Sequence, residues 1–259
     1  MSKIDFKVLA QSMIGQEVER PNKATSGTLS GHAAGEPFEK CVYHKLKDEF
    51  PNNIYKQYEY LNDIFLRNPQ HISVKQRYAL FESPTALFLL SRGDKATSEW
   101  SPHNVFEEKQ NDTADILYYE DGAYNIIDVK TRNVGKSAQA PNIISAYKLA
   151  KTCAYMIDNE EFHNIKIDYI EIDWIEDNDH LRCTNAHHGD LFKANPTTLY
   201  INWAAAMQIQ FHVCNLDQSW ERTREEWARE YIKVFVASAT ERCEKMRRDY
   251  IAPFLKYIQ

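Results

Sequence analysis

Asp115, Asp128 and Lys130 are the three charged side chains whose types and spacing offer chemistry in this sequence. They lie on two short apolar runs, Ala114-Asp115-Ile116-Leu117-Tyr118-Tyr119 and Tyr124-Asn125-Ile126-Ile127-Asp128-Val129-Lys130, joined through Asp121-Gly122. Asp-Gly between β-rich runs is a strong hairpin signal, because both central residues of the favoured turn need positive φ. A turn centred there puts Asp115 directly across from Asp128. Side chains alternate along a strand, so Asp128 and Lys130 share a face. Two carboxylates and an ammonium therefore converge on one patch of sheet.

Like charges directly opposite one another destabilise a sheet. Folding alone would not select them, so a ligand is expected to compensate. A hard divalent cation such as Mg²⁺ fits, since it takes carboxylate oxygens and keeps waters for substrate phosphates. A lysine beside it can orient a water or meet charge building on a phosphate oxygen. The reaction that suits this set is metal-assisted phosphodiester hydrolysis. An acid-x-Lys triplet alone is weakly specific, and Asp5-Phe6-Lys7 and Glu107-Glu108-Lys109 are two more. Neither has a β-rich run before it and a second acid at the mirrored position. A solvated surface hairpin is the plainer reading, and apolar Ile126, Ile127 and Val129 count against it.

The elements that position these residues read as one α/β domain over 1–259, with a central mixed sheet flanked by helices. Residues 21–36, with Pro21, Gly27, Gly31 and Gly35, read as an extended loop. Phe38–Phe50 and Ile54–Leu66 read as helices, and Ser83-Pro84 as the start of another that Gly93 ends. After the hairpin of about 114–130, a basic polar loop is expected over about 131–142, with a helix from near Asn142. Ile165–Trp174 is β-rich. Its alternation changes phase at Tyr169-Ile170, which marks either a bulge or a strand buried on both faces. Short strands are expected at Thr198–Trp203 and Met207–Val213, and a long helix over about 219–252 with Trp220, Trp227, Tyr231, Val234 and Phe235 along one stripe for core or dimer packing. His187-His188-Gly189-Asp190 resembles a metal motif, but adjacent strand histidines point apart, and a turn is expected there.

Charge bounds the partners. With 31 basic and 37 acidic residues the net charge is −6, unlike a simple nucleic-acid coat protein. Yet Lys130, Arg132, Lys136, Lys148 and Lys151 fall in a stretch, 129–157, that has no acid. Such a local positive field can steer a polyanion. The five cysteines are scattered and odd in number, which reads as free thiols in a reducing compartment. Neither a signal peptide nor a membrane-spanning run is evident, so a cytoplasmic, soluble protein is expected.

Asp115 followed by Asp128-Val129-Lys130 resembles the core of the PD-(D/E)xK nucleases. The wider stretches 113–117, 127–133 and 137–142 are similar to the HincII/HindII type II restriction endonucleases, and the similarity extends over essentially the whole chain. Ala114 stands where a proline often precedes the first acid. The resemblance implies a restriction-endonuclease-like core and a homodimer that cuts double-stranded DNA at GTYRAC, in the middle, leaving blunt ends with 5′-phosphate and 3′-hydroxyl. It implies Asp115, Asp128 and the Val129 carbonyl as Mg²⁺ ligands and Lys130 as the residue assisting the attacking water. It places Gln139, Ala140 and Asn142 near bases.

The amides of Gln139 and Asn142 can pair with adenine, and Ala140 can touch a thymine methyl. Asn142 is equally suited to cap the helix expected after it. Arg132 and Lys136 read as phosphate contacts or solvated charges, Thr131 as a possible holder of water or phosphate, and Asn202 as a groove contact or an outward residue of a core strand. Glu36 and Glu39, near the first long helix, are weaker candidates for the metal site. A structure-specific nuclease of the same core, a non-catalytic DNA-binding protein and a zinc protein using the histidines are the competing readings.

Overall fold

The computed structural model describes residues 3–21, 31–65 (side chains 35–61), 79–90, 113–137 and 139–258. The hairpin forms as its turn chemistry dictates: Asp121 and Gly122 take φ of 48° and 84°. Strand β3 is Ile116–Glu120 and β4 is Ala123–Asn133. Their register runs from Ile116↔Ile127 to Glu120↔Ala123, as the Asp-Gly centre requires. With β1 (Glu17–Glu19), β2 (Ile54–Tyr55), β6 (Ile165–Asp177) and β7 (His180–Asp190) they form a six-stranded mixed sheet in the order β1-β7-β6-β4-β3-β2. Among the described strands only β4 and β6 run parallel; a crossover of loop, strand and helix connects them. A second sheet, β5-β9-β8, consists of Asn142–Ser145, Gln208–Gln210 and Tyr200–Asn202.

Two apolar clusters sandwich the main sheet. One holds Tyr124, Ile126, Ile165, Ile167 and Tyr169, and the other Ile127, Val129, Ile170, Ile172 and Trp174. This resolves the phase change in Ile165–Trp174: the strand is buried on both faces, first by its odd residues and then by its even ones. A register shift does occur in its pairing with β7, at Asp173/Trp174, beyond that point. The odd positions that follow Tyr169 are Glu171 and Asp173, and in β4 the even positions after Ile126 are Asp128, Lys130 and Arg132. Paired strands thus turn one face from apolar to ionic at the same end, the carboxyl end of the parallel pair, where open α/β sheets bind their ligands.

Helices α1 (Phe6–Met13) and α2 (Gly31–Glu49) cover the second cluster; α4 (Pro84–Leu90), α5 (Ala146–Asp158) and α6 (Arg224–Met246) cover the first; α3 is Gln57–Phe65. Ser83 Oγ accepts from the Ala86 N–H, the cap its position before Pro84 promised. Gly93 and 22–30 fall outside the described residues. Residues 31–36 are the start of α2 rather than loop, with Pro37 inside that helix.

Several other expectations are corrected. The loop over about 131–142 shrinks at both ends, because β4 stays paired with β6 as far as Asn133↔Trp174 and Asn142 is already in β5. Asn142 therefore caps nothing; Ser145 caps α5 by accepting from the Lys148 N–H. The segment His187–Asp190 is the end of β7, not a turn, because it continues the ladder with β6 through Asp168↔Asp190. The last helix begins at Arg224 rather than about 219, because Thr223 and Glu226 form a capping box. It ends in a π turn (Arg247–Ile251) and a 3-10 turn (Ala252–Tyr257) that takes in Pro253.

One buried amide fixes how the chain enters the hairpin. Gln57 is 1% exposed; its Oε1 accepts from the N–H groups of Thr113 (2.9 Å) and Ala114 (2.8 Å), and its Nε2 donates to the Leu90 carbonyl (2.7 Å). Gln57→Leu leaves two N–H groups without that acceptor, at a cost of about 2–4 kcal/mol. The urea midpoint of the variant is expected to fall with an unchanged slope. A midpoint equal to the parent's would show that the amide is dispensable.

Candidate active site

Asp115 sits one residue before β3, held by Gln57 through Thr113 and Ala114 behind it. Its Oδ2 accepts from the Val129 N–H at 2.8 Å, across the hairpin. Asp128, on β4 and 5% exposed, is beside it. Lys130 Nζ bonds both oxygens of Asp128, at 2.9 and 2.7 Å. Burial first, and then the Asp128 carboxylate, push the Asp115 carboxyl well above the ordinary carboxylate range; Lys130 and the Val129 N–H oppose this without prevailing. Burial works to lower the Lys130 pKa, but Asp128, Asp115 and Glu39 hold the ammonium above its usual value. Asp128 thus disfavours the ionised form of Asp115, in the sense expected from the hairpin register, and Lys130 offsets only part of this.

A cavity of about 730 Å³ opens on this cluster. Asp115, Val129, Lys130, Thr131, Arg132, Lys136, Gln139 and Asn142 all line it, as do Glu36 and Glu39 from α2. Asp128 lies beneath, tied to Lys130. Ala140 is half-buried between Gln139 and Pro141 and is not part of the lining. Asn202 also stands apart, but is linked back by a chain of amides. Its Nδ2 donates to Gln210 Oε1 (2.9 Å), and Gln210 Nε2 donates to Asn142 Oδ1 (2.8 Å). Arg132 is no solvated charge: it grips Asp173 with two bonds of 2.7 and 2.6 Å. Lys136 is exposed, with Glu176 at 3.9 Å. Glu39 pairs with Lys56, and Glu36 with Lys40 at 2.7 Å.

The donors suit a hard cation that keeps part of its water. Among the described residues no group of three or more His, Cys, Asp or Glu side chains could enclose a metal. What the site offers instead is two crowded carboxylates beside a main-chain strand, open to a cavity. That suits Mg²⁺ better than zinc. The histidines are committed elsewhere and to opposite faces: His187 to Asp173 at 3.1 Å, His188 to Asp168 at 2.6 Å.

The roles of five positions escaped the sequence reading. Gln57 is far from the hairpin in sequence. Lys148 reaches the Thr113 hydroxyl from α5. Glu171 and Asp173 look like ordinary acids until the β4–β6 register sets them beside Lys130 and Arg132. His212 lines the cavity and meets Glu171. The acids breaking the alternation of β6 were the one visible signal.

A mixed sheet flanked by helices, with a hairpin carrying acids at the edge of a cavity lined by charges of both signs, fits the class of restriction-endonuclease-like enzymes. The family model for restriction endonuclease HincII matches residues 9–258. The type II restriction enzyme HindII of Haemophilus influenzae (strain Rd) is 59% identical over 246 residues, covering 95% of this chain and 94% of that protein. The type II restriction enzyme HincII of Haemophilus influenzae matches with the same identity and coverage. The chain belongs to the HincII restriction endonuclease family and is a type II restriction endonuclease, a site-specific deoxyribonuclease.

The raised Asp115 carboxyl has a stability signature. Its folded form holds a proton more tightly than the unfolded chain. That contribution is therefore fully present below the ordinary carboxylate pKa and is lost as pH rises through the raised value. Without divalent metal, the parent is expected to lose stability relative to Asp115→Asn between those limits. Thermal melts of both proteins across that range measure the difference. A difference that does not change with pH would mean that the folded chain does not raise the Asp115 carboxyl.

Proposed function

We propose that this endonuclease works as a homodimer and cuts double-stranded DNA in the middle of GTYRAC with Mg²⁺ as cofactor, leaving blunt ends with 5′-phosphate and 3′-hydroxyl. The observation that carries the site assignment is the Asp115–Asp128–Lys130 cluster at the floor of a polar cavity. The target and cut position rest on the family resemblance. The chain acts as one endonuclease domain. The cytoplasm, where such a substrate is met, is its place of action; no helix among the described residues is long and apolar enough to cross a membrane.

Asp115, Asp128 and the Val129 carbonyl would hold Mg²⁺. Bound there, the ion supplies Lewis acidity and neutralises charge on the scissile phosphate. Asp128 and Asp115 hold the Lys130 ammonium above its usual pKa, so it is placed to donate hydrogen bonds. It orients the attacking water and meets charge growing on the phosphoryl oxygens. The water oxygen bonds to phosphorus in line as the bond to the 3′-oxygen breaks; the water gives up one proton to bulk solvent, and the 3′-oxygen takes one from solvent to leave as the 3′-hydroxyl.

Gln139, Ala140, Asn142 and Asn202 face bases in this proposal, and Thr131, Arg132 and Lys136 the backbone. Asn142 is free of any capping duty, and its Nδ2 remains to donate while Oδ1 accepts from Gln210. A run of exposed apolar residues after α6, including Tyr250, Phe254, Tyr257 and Ile258, supports a subunit contact.

Lys130→Ala is expected to lower the cleavage rate by roughly 10²–10³-fold while duplex binding survives. Cleavage at the parent's rate would overturn the mechanism. Digestion of a sequenced plasmid with Mg²⁺ and reading of the fragment ends checks the cut; staggered ends or cuts at unrelated sequences would refute it. Phe254→Asp with Tyr257→Asp is expected to shift the sedimenting species from dimer to monomer. A dimer that withstands both charges would place the contact elsewhere.

A further inference from the structure

Glu171 is fully buried and lies beside Lys130 in the parallel ladder, on the same face. A buried carboxylate needs charged or hydrogen-bonding partners. The two neighbouring cations are already taken. Lys130 bonds both oxygens of Asp128, and Arg132 bonds both oxygens of Asp173. What meets Glu171 is His212, whose Nδ1 stands 2.6 Å from Oε1, with the Cys214 N–H at 3.4 Å from Oε2. His212 follows β9, so the second sheet delivers it to the first across 41 residues of sequence.

The same ring lines the cavity with Asp115, Val129 and Lys130. With Nδ1 committed to the buried acid, Nε2 is the nitrogen left for whatever enters. A carboxylate behind one ring nitrogen fixes the orientation of the ring. A ring set between that acid and a second anion donates from both nitrogens, one to Glu171 and the other to the anion.

Resting on the active-site reading above, we propose that His212 is a substrate-contacting residue, oriented by Glu171, whose Nε2–H donates to one backbone phosphate of the bound DNA. The ligand chemistry is a single phosphodiester oxygen near the scissile bond. His212 holds the strand against the Asp115–Lys130 cluster, and no proton passes to or from the reacting water through it.

The test pairs variants with chemically altered duplexes. Single methylphosphonates, each removing the charge of one phosphate, are scanned along both strands of the target. At one position this neutralisation is expected to slow the parent roughly tenfold, the worth of a charge-assisted hydrogen bond, and to leave His212→Ala unaffected. His212→Ala is expected to raise KM by a similar factor, with a smaller change in the saturated rate. Glu171→Gln, which preserves shape, is expected to weaken the same single coupling. If His212→Ala lowers the saturated rate while every methylphosphonate still acts as in the parent, the assignment is wrong and a proton-transfer or purely structural role replaces it. Lys130→Ala separates the two readings. Normal cleavage by that variant fells the active-site reading and this one with it; loss of cleavage, with no phosphate coupled to His212, fells this one alone.

Discussion

The closeness of Asp115 and Asp128 is the constraint on which the rest depends. Two carboxylates do not settle together unaided, and several parts of the chain hold them there. The Val129 N–H fixes the Asp115 carboxyl. Gln57 and Lys148 fix the residues that lead into it. Lys130 shields Asp128. None of these groups removes the repulsion. They define a geometry in which a cation is stabilised by the mismatch that the protein alone leaves. Stability given up in the free enzyme is available to metal and substrate.

The sheet concentrates this polarity without spoiling its core. In β4 and β6 the residues that begin a face are apolar, and those that end it are charged. Lys130 with Asp128, Arg132 with Asp173 and His212 with Glu171 then form one row of hydrogen-bonded pairs along the cavity. Because β4 and β6 run parallel, their polar ends coincide. An antiparallel pair would have separated them.

That row also explains what was legible from sequence. The Asp-Gly turn dictates its own register through positive φ, so the Asp115–Asp128–Lys130 site could be read from a few consecutive residues. Ser83 and Pro84 likewise encode a helix start locally. The parallel pairing of β4 with β6 has no local code, so Glu171 and Asp173 gave no sign of their partners. His212 could not be placed at all without the second sheet. The His187–Asp190 segment failed for the same reason: Gly-Asp favours a turn in isolation, and β6 overrides that preference by pairing with it. Asn142 was misplaced by only a few residues, yet the shift decides its role, because Ser145 does the capping.

The position of β5 has a mechanical consequence. The segment that carries Gln139 runs into β5, whose Asn142 is bonded to Gln210 and through it to Asn202. Strand β5 passes directly into α5, and Lys148 in the first turn of that helix holds the Thr113 hydroxyl, two residues before Asp115. A displacement of these amides therefore has a short route to the first acid. The route runs through a packed helix whose Leu149 and Cys153 are fully buried. Packed elements shift as units rather than yield residue by residue. The amides of Asn142, Gln210 and Asn202 and the residues that lead into Asp115 are thus joined through one packed helix, so neither can be displaced without straining the other.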